Sequence, residues 1–365
     1  MKTRKLWAVL LSLALVLALL AGCQSGKKDD EMPGGAQSQT EDNKTENQQP
    51  GTQENTPGER ASVNFAVLAG PTGVGAAKLM ADNEAGETKN AYNMTVAAAN
   101  DEVVAKLTGP SPEIDIAAMA TNVAANLYNK TEGKVQMLTI NGLGVLYILE
   151  RDGETVQSMA DLKGKTLYAT GQGANPEYVL NYLLRQNDLE PGTDVEMVWK
   201  TGEEVIAAMV SGEAQVCMLP VPAATAVQLK AAASEGAFAV RSALNLTEEW
   251  AAVSGGSDLI MSCTVARTDW ARENPQAVAA FLEDYEASIN FVKSNVEQAA
   301  ELVAQYGITA NAGIAKKAIP DCNLTFVSGA DAVKKAVGGY YEVLFEADPA
   351  SVGGAVPDDG FYYAP

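Results

Sequence analysis

The chain has 365 residues, carries a formal net charge of −20 and contains no histidine. Without imidazole it lacks the commonest general base and metal ligand, and its acidity leaves no basic patch for nucleic acid. Composition therefore argues against an enzyme, a metalloprotein and a nucleic-acid binder, and the acidity reads as a solvated surface.

The first predicted element is an export signal. Lys2, Arg4 and Lys5 precede an apolar run from about Leu6 to Leu20, and Ala21 and Gly22 stand directly before Cys23. A basic head, an apolar stretch and small residues in that order mark a secretory signal. The run is shorter than the ~20 residues a spanning helix needs. Leu20-Ala21-Gly22-Cys23 resembles the bacterial lipobox. That resemblance implies removal of residues 1–22 as a signal peptide and acylation, palmitate included, at Cys23. From 23 to 60 the chain is Gln, Glu, Asn, Thr, Gly, Pro and Lys with almost no apolar residue, the composition of a disordered tether. Its root-mean-square reach is roughly 30–35 Å. The body, 61–365, is then expected at the cell membrane, lipid-anchored and facing the extracellular or periplasmic side, away from ATP and NAD(P)H. It is long enough for two lobes with separate cores.

Strands alternate with helices along the body, the pattern of an α/β protein. The expected order is strand Ser62–Ala69, helix Ala76–Ala81, strand Met94–Ala99, helix Asp101–Thr108, strand Ile114–Met119, helix Asn122–Asn129 and strands Val135–Ile140 and Gly144–Leu149. A second unit follows, with strands at Lys165–Ala169, Asp194–Trp199, Ala214–Leu219 and Ala237–Ser242 and helices at Pro176–Gln186, Glu203–Ser211 and Ala223–Ala232. Strand Leu259–Val265 returns to the first unit. Helices Pro275–Ser294, Asn295–Tyr306, Ala310–Ala318 and Ala330–Ala347 close the chain, with Pro275 suited to a helix start. Crossings near Leu149–Gly153 and Leu259 divide the body into lobe I, 61–150 plus 259–365, and lobe II, 151–258. A double crossing of this kind makes a hinge. Besides Cys23, the cysteines are Cys217, Cys263 and Cys322. Their spacing contains no C-x-x-C, so buried free thiols are expected, with at most one disulfide such as Cys263–Cys322.

Four strand-to-helix corners carry the chemistry. Gly70-Pro71-Thr72-Gly73-Val74-Gly75 is glycine-rich, but Ala76-Ala77 stand where a phosphate loop needs Lys and Ser/Thr. It remains either a tight turn or a helix start that offers N–H groups to a polar ligand. Thr121 and Asn122 serve either as helix caps or as ligand contacts at the carboxyl end of a strand. Thr170-Gly171-Gln172-Gly173-Ala174-Asn175-Pro176 repeats the arrangement in the second unit. Leu219-Pro220-Val221-Pro222 is either a rigid turn or a fourth contact. No corner contains Arg or Lys, which favours a solute that is neutral or carries a single carboxylate or sulfonate. Tyr147, Tyr168, Tyr178 and Trp199 either line the cleft or belong to the core.

The segments Asp115–Tyr128 (DIAAMATNVAANLY), Gly142–Ile148 (GLGVLYI), Asp161–Lys165 (DLKGK) and Gly212–Pro222 resemble one family. These are the substrate-binding lipoproteins of ABC importers of the nitrate, taurine, alkylsulfonate and thiamine-precursor type. The resemblance implies a two-lobed type II periplasmic-binding-protein fold, each lobe a mainly parallel sheet flanked by helices, with the ligand cleft between lobes. It implies a monomer that captures a small organic solute and delivers it to an ABC permease with its ATPase. A sensor domain presenting its ligand to a receptor is the alternative. Carried over by motif, the ligand contacts are Pro71, Thr72 and Gly73; Thr121 and Asn122; Leu143 and Gly144; Gln172, Gly173, Ala174 and Asn175; and Pro220 and Val221. Basic residues of some anion-binding members have no counterpart at these corners. The fold also serves a thiamine-pyrimidine synthase that consumes its own histidine, chemistry this chain lacks the residue to perform. No cofactor and no metal are expected.

Overall fold

A computed structural model describes residues 60–365; the signal, Cys23 and most of the tether lie outside the described residues. The first elements are β1 (Ser62–Leu68), α1 (Pro71–Val74), α2 (Ala77–Ala85), β2 (Ala91–Ala97), α3 (Asn100–Thr108), β3 (Ile116–Ala120), α4 (Thr121–Lys130) and β4 (Val135–Leu143). Next come β5 (Leu146–Arg151), β6 (Thr166–Ala169), α5 (Asn175–Gln186), β7 (Glu196–Trp199), α6 (Gly202–Ser211), β8 (Val216–Pro220), α7 (Ala223–Ala232), β9 (Val240–Asn245) and α8 (Leu246–Val253). The chain ends with β10 (Ile260–Arg267), α9 (Thr268–Glu273), α10 (Pro275–Ser294), α11 (Val296–Gln305), α12 (Ala312–Ala318), β11 (Leu324–Ser328) and α13 (Ala330–Ala347).

The strands form two sheets, a six-stranded one in the order β11-β4-β10-β3-β1-β2 and a five-stranded one in the order β7-β6-β8-β5-β9. Both are mixed, not mainly parallel as expected. β1 runs parallel to β2 and β3, but β10 is antiparallel to β3 and β4, and β11 to β4. In the other sheet β6 is parallel to β7 and β8, whereas β5 is antiparallel to β8 and β9. The physical reason lies in the connections. Helical crossovers return a strand parallel to its neighbour, whereas β5, entered directly from the first passage, runs against β6, β7, β8 and β9, and β10 and β11 run against the other four strands of their sheet.

The first passage between sheets falls at Gly144–Val145, because β5 already pairs with β8 and β9. That is a few residues before the expected Leu149–Gly153. Gly144 is held there by its neighbours: a Cβ on it would stand 2.1 Å from Thr247 Oγ1 and 3.0 Å from Leu259 Cδ2. Asn323 clamps the same point, its backbone carbonyl accepting from Leu143 N–H and its Nδ2 donating to Gly144 O.

Burial of β1 on both faces explains its apolar run. Val63, Phe65 and Val67 point into one cluster, and Ala66 and Leu68 into the other, as the two-residue period of a strand dictates. Phe65 meets Phe281 and Tyr285 of α10 edge-on, with centroids 5.0 and 5.6 Å apart. On α10 the buried positions Val278, Phe281, Tyr285, Ile289 and Val292 recur every three or four residues, one face of a helix. Cys217, Cys263 and Cys322 are buried free thiols.

One buried charge organises the second sheet. Glu150 on β5 accepts from the Thr155 hydroxyl (2.6 Å), the Thr155 and Val156 N–H groups (3.0 and 3.2 Å) and the Arg241 guanidinium. Burial pushes its carboxyl upward, but these donors outweigh burial and hold it at about 2. A depressed carboxyl stabilises the fold above its unfolded value and loses that contribution as the pH falls through the folded one. With an unfolded glutamate near ~4.3, the contribution is about 3 kcal/mol, lost between roughly pH 4.3 and 2. Glu150→Gln is expected to unfold at lower denaturant at pH 7 and to show a flatter stability profile over that acid window. Parallel profiles for parent and variant in denaturant titrations would refute the assignment.

Candidate functional site

The carboxyl ends of strands from both sheets meet around one cavity of about 200 Å³. From the six-stranded side come Leu68, Ala69, Pro71 and Thr72 after β1, Asn100 after β2, Ala120 at the end of β3, Gly142 and Leu143 of β4, and Met261 and Ser262 of β10. The five-stranded side supplies Thr170, Gly171, Ala174, Asn175 and Pro176 between β6 and α5, and Pro220 at the end of β8. Val145, Leu146 and Cys322 complete the wall near the passage. Ligands gather at such strand ends because the loops there converge while the sheets stay rigid.

None of these lining residues is charged. Polar groups are few: the hydroxyls of Thr72, Thr170 and Ser262, and the amides of Asn100 and Asn175. Asn100 is partly committed, since its Oδ1 accepts from Ala120 N–H at 3.2 Å. Burial, with Asp321 adjacent, pushes the Cys322 thiol up to about 12, so it is a neutral thiol at physiological pH. Among the described residues no group of His, Cys, Asp and Glu is placed to hold a metal ion.

A second, more open chamber of about 520 Å³ adjoins the first, and Asn100, Thr170, Gly171 and Ala174 line both. Its wall adds Asp101, Val123, Gln172, Gly173, Trp199, Lys200 and Thr201. The inner chamber is neutral, and the charges stand at its mouth.

The expected contact residues fall into three groups. Pro71, Thr72, Leu143, Ala174, Asn175 and Pro220 line the inner chamber, and Gln172 and Gly173 line the outer one. Gly73, Thr121, Asn122, Gly144 and Val221 line neither. Gly73 is packed beneath the β1 carbonyls, where a Cβ would lie 2.3 Å from Leu68 O. Asn122 donates through Nδ2 to Ser351 O at 3.3 Å and through its N–H to Asn175 Oδ1 at 3.1 Å. Thr121 Oγ1 and Asn122 Oδ1 are buried without a hydrogen-bond partner. Asn100, Met261, Ser262 and Cys322 are lining residues that sequence reasoning passed over. The turn Ala98-Ala99-Asn100 was recognisable as another strand-to-helix corner; the other three carried no local signal.

Two mixed sheets joined by two passages, with a cavity where their strand ends converge, make a two-lobed α/β fold. Solved structures share it. An ABC transporter protein from Parabacteroides distasonis is similar at 22% identity over 83% of this chain and 99% of its own, with a TM-score of 0.67. The periplasmic aliphatic sulphonate binding protein SsuA from Escherichia coli is similar at 16% identity over 84% of this chain and 93% of its own, TM-score 0.64. The periplasmic nitrate-binding protein NrtA from Synechocystis PCC 6803 is similar at 14% identity over 83% of this chain and 84% of its own, TM-score 0.57. Residues 135–299, from β4 to the first turn of α11, match the NMT1/THI5-like family. No curated protein matches the chain in sequence. Among the described residues no helix is long and apolar enough to cross a membrane.

Proposed function

We propose that this chain is an extracytoplasmic solute-binding lipoprotein of an ABC importer, anchored through Cys23 and acting as a monomer without catalysis. It captures a small organic solute between lobes I and II and hands it to a permease with its ATPase. Two lobes that close around a solute give the permease a shape to read, with differential affinity for the closed form as the driving force. The charge-free inner chamber carries the reading. A buried ion without a partner is costly, so a chamber lined only by hydroxyls, amides and apolar groups favours an uncharged group in its interior. Its volume suits a single ring or a short chain, since a cavity of about 150 Å³ holds benzene. The named sulphonate and nitrate binders share the fold, whereas this lining offers no cation to an anion. Any charged substituent is better placed in the outer chamber, near Lys200 or Asp101.

Native mass spectrometry of the full chain, purified in mild detergent without denaturation, is expected to show a co-purified molecule of low mass. Thermal shifts across neutral and anionic solutes are expected to favour neutral ones. An empty protein that responds to no solute, or one stabilised by nitrate or simple sulfonates, would overturn the proposal.

A further inference from the structure

Asn175, the first residue of α5, belongs to the five-stranded side, yet its amide is spent on the other side. Its Oδ1 accepts from the backbone N–H of Asn122 at 3.1 Å and from the Tyr340 hydroxyl at 2.8 Å. Its Nδ2 donates to Met261 O at 2.6 Å. Asn122 is the second residue of α4, Met261 lies on β10, and Tyr340 sits on α13, which packs against β4 and β11 and also meets α5 itself. All four residues are buried. The amide is not caring for its own helix, because α5 has Ala174 at its N-cap and no side-chain cap there. Both acceptor directions of Oδ1 are taken, so this oxygen has none left for a solute even though Asn175 borders the chamber.

We propose that Asn175 and Tyr340 form a latch between the lobes that works without ligand and biases the empty chain towards its closed arrangement. Asn175 is then a positioning residue, and Tyr340, outside both chambers, is a determinant of solute affinity. The affinity consequence rests on the solute-binding reading; the latch itself does not. Opening would transfer these polar groups to water, so each bond shifts the closed-to-open ratio by about two- to tenfold. A solute that binds the closed form gains apparent affinity by the fraction of chains already closed.

Tyr340→Phe removes the hydroxyl and keeps the ring against Trp250, whose centroid is 5.3 Å away. Tyr341→Phe is the matched control. It also removes a buried hydroxyl from α13, but that hydroxyl donates to Thr121 O at 2.9 Å, a bond wholly on the six-stranded side. The readout is alkylation of Cys322 by iodoacetamide in the solute-free full chain, followed by peptide mapping. Cys322 borders the chamber, whereas Cys217 and Cys263 are buried away from it and report general unfolding. Tyr340→Phe and Asn175→Ala are expected to speed Cys322 alkylation about three- to tenfold. Tyr341→Phe should leave it at the parental rate, and Cys217 and Cys263 should be unaffected throughout. The fold rise in alkylation and the fold rise in Kd for the co-purified solute should multiply to one number, the change in the closed-to-open ratio, with alkylation carrying most of it when the parent is mostly closed. Equal Cys322 rates in parent, Tyr340→Phe and Tyr341→Phe would overturn the latch, as would acceleration shared by all three cysteines. A rate difference at Cys322 in a protein that binds no solute would sustain the latch and refute the solute-binding reading.

Discussion

Ala174→Phe is expected to fold as the parent does and to bind its solute about 100-fold more weakly or worse. Ala174 lines both chambers at the step between them, and its backbone is extended, a conformation open to any residue. A half-buried position at the mouth tolerates a larger side chain in the empty protein. A phenyl ring there occupies much of the space a small solute needs, since about 150 Å³ is the room one benzene fills. Its backbone N–H bond to Gly171 O, at 3.1 Å, involves no side chain and survives the change. Isothermal titration with the co-purified solute measures the loss, and circular dichroism with thermal unfolding checks the fold. Parental affinity in a folded Ala174→Phe would show that the solute sits elsewhere.

Cys23→Ala is expected to abolish acylation completely. In the parent, the mature chain should begin at Cys23, carry acyl mass, incorporate labelled palmitate and partition into detergent. The variant should incorporate no label and retain residues 1–22, because the proposed cleavage depends on the cysteine that is to be modified. Chain number decides whether such a modification suffices as an anchor. One acyl chain holds a protein only marginally, with a constant of about 10⁴ M⁻¹, whereas two or more hold it stably. Mass spectrometry of the N-terminal peptide decides the matter; an unmodified parental Cys23, or label that persists in the variant, would refute the anchor.

The corners around the cavity were legible because their chemistry is local. Glycine, proline, threonine and asparagine directly after an apolar run mark a chain that leaves a strand and starts a helix. Pro71, Thr72, Ala174 and Pro220 could be singled out on that basis. The same signal does not say which residue of a corner faces inward. Gly73 lies under a carbonyl of its own strand, and Asn122 turns to Ser351 and Asn175, because helix phase and neighbouring elements set the direction. The missed elements are short or weakly patterned. β11 pairs only at the sheet edge, with β4, and α8 sits inside the second passage. The segment after α13 has no periodicity at all. It is held by contacts remote in sequence, such as Asn126 and Asn129 of α4 donating to the carbonyls of Ala350 and Val352.

By itself the sequence determined the α/β alternation, the two-part body, the neutral corners and the exclusion of histidine chemistry, because composition and short-range patterning carry those properties. Only the tertiary structure decided that both sheets are mixed and that Met261, Ser262 and Cys322 reach the chamber. It also showed that the Asn175 amide, at the chamber wall, is hydrogen-bonded to Asn122, Met261 and Tyr340. These outcomes depend on strand order and on groups separated by 53, 86 and 165 residues in the case of Asn175. Pairing over such distances follows from how the sheets pack, and no local pattern encodes it.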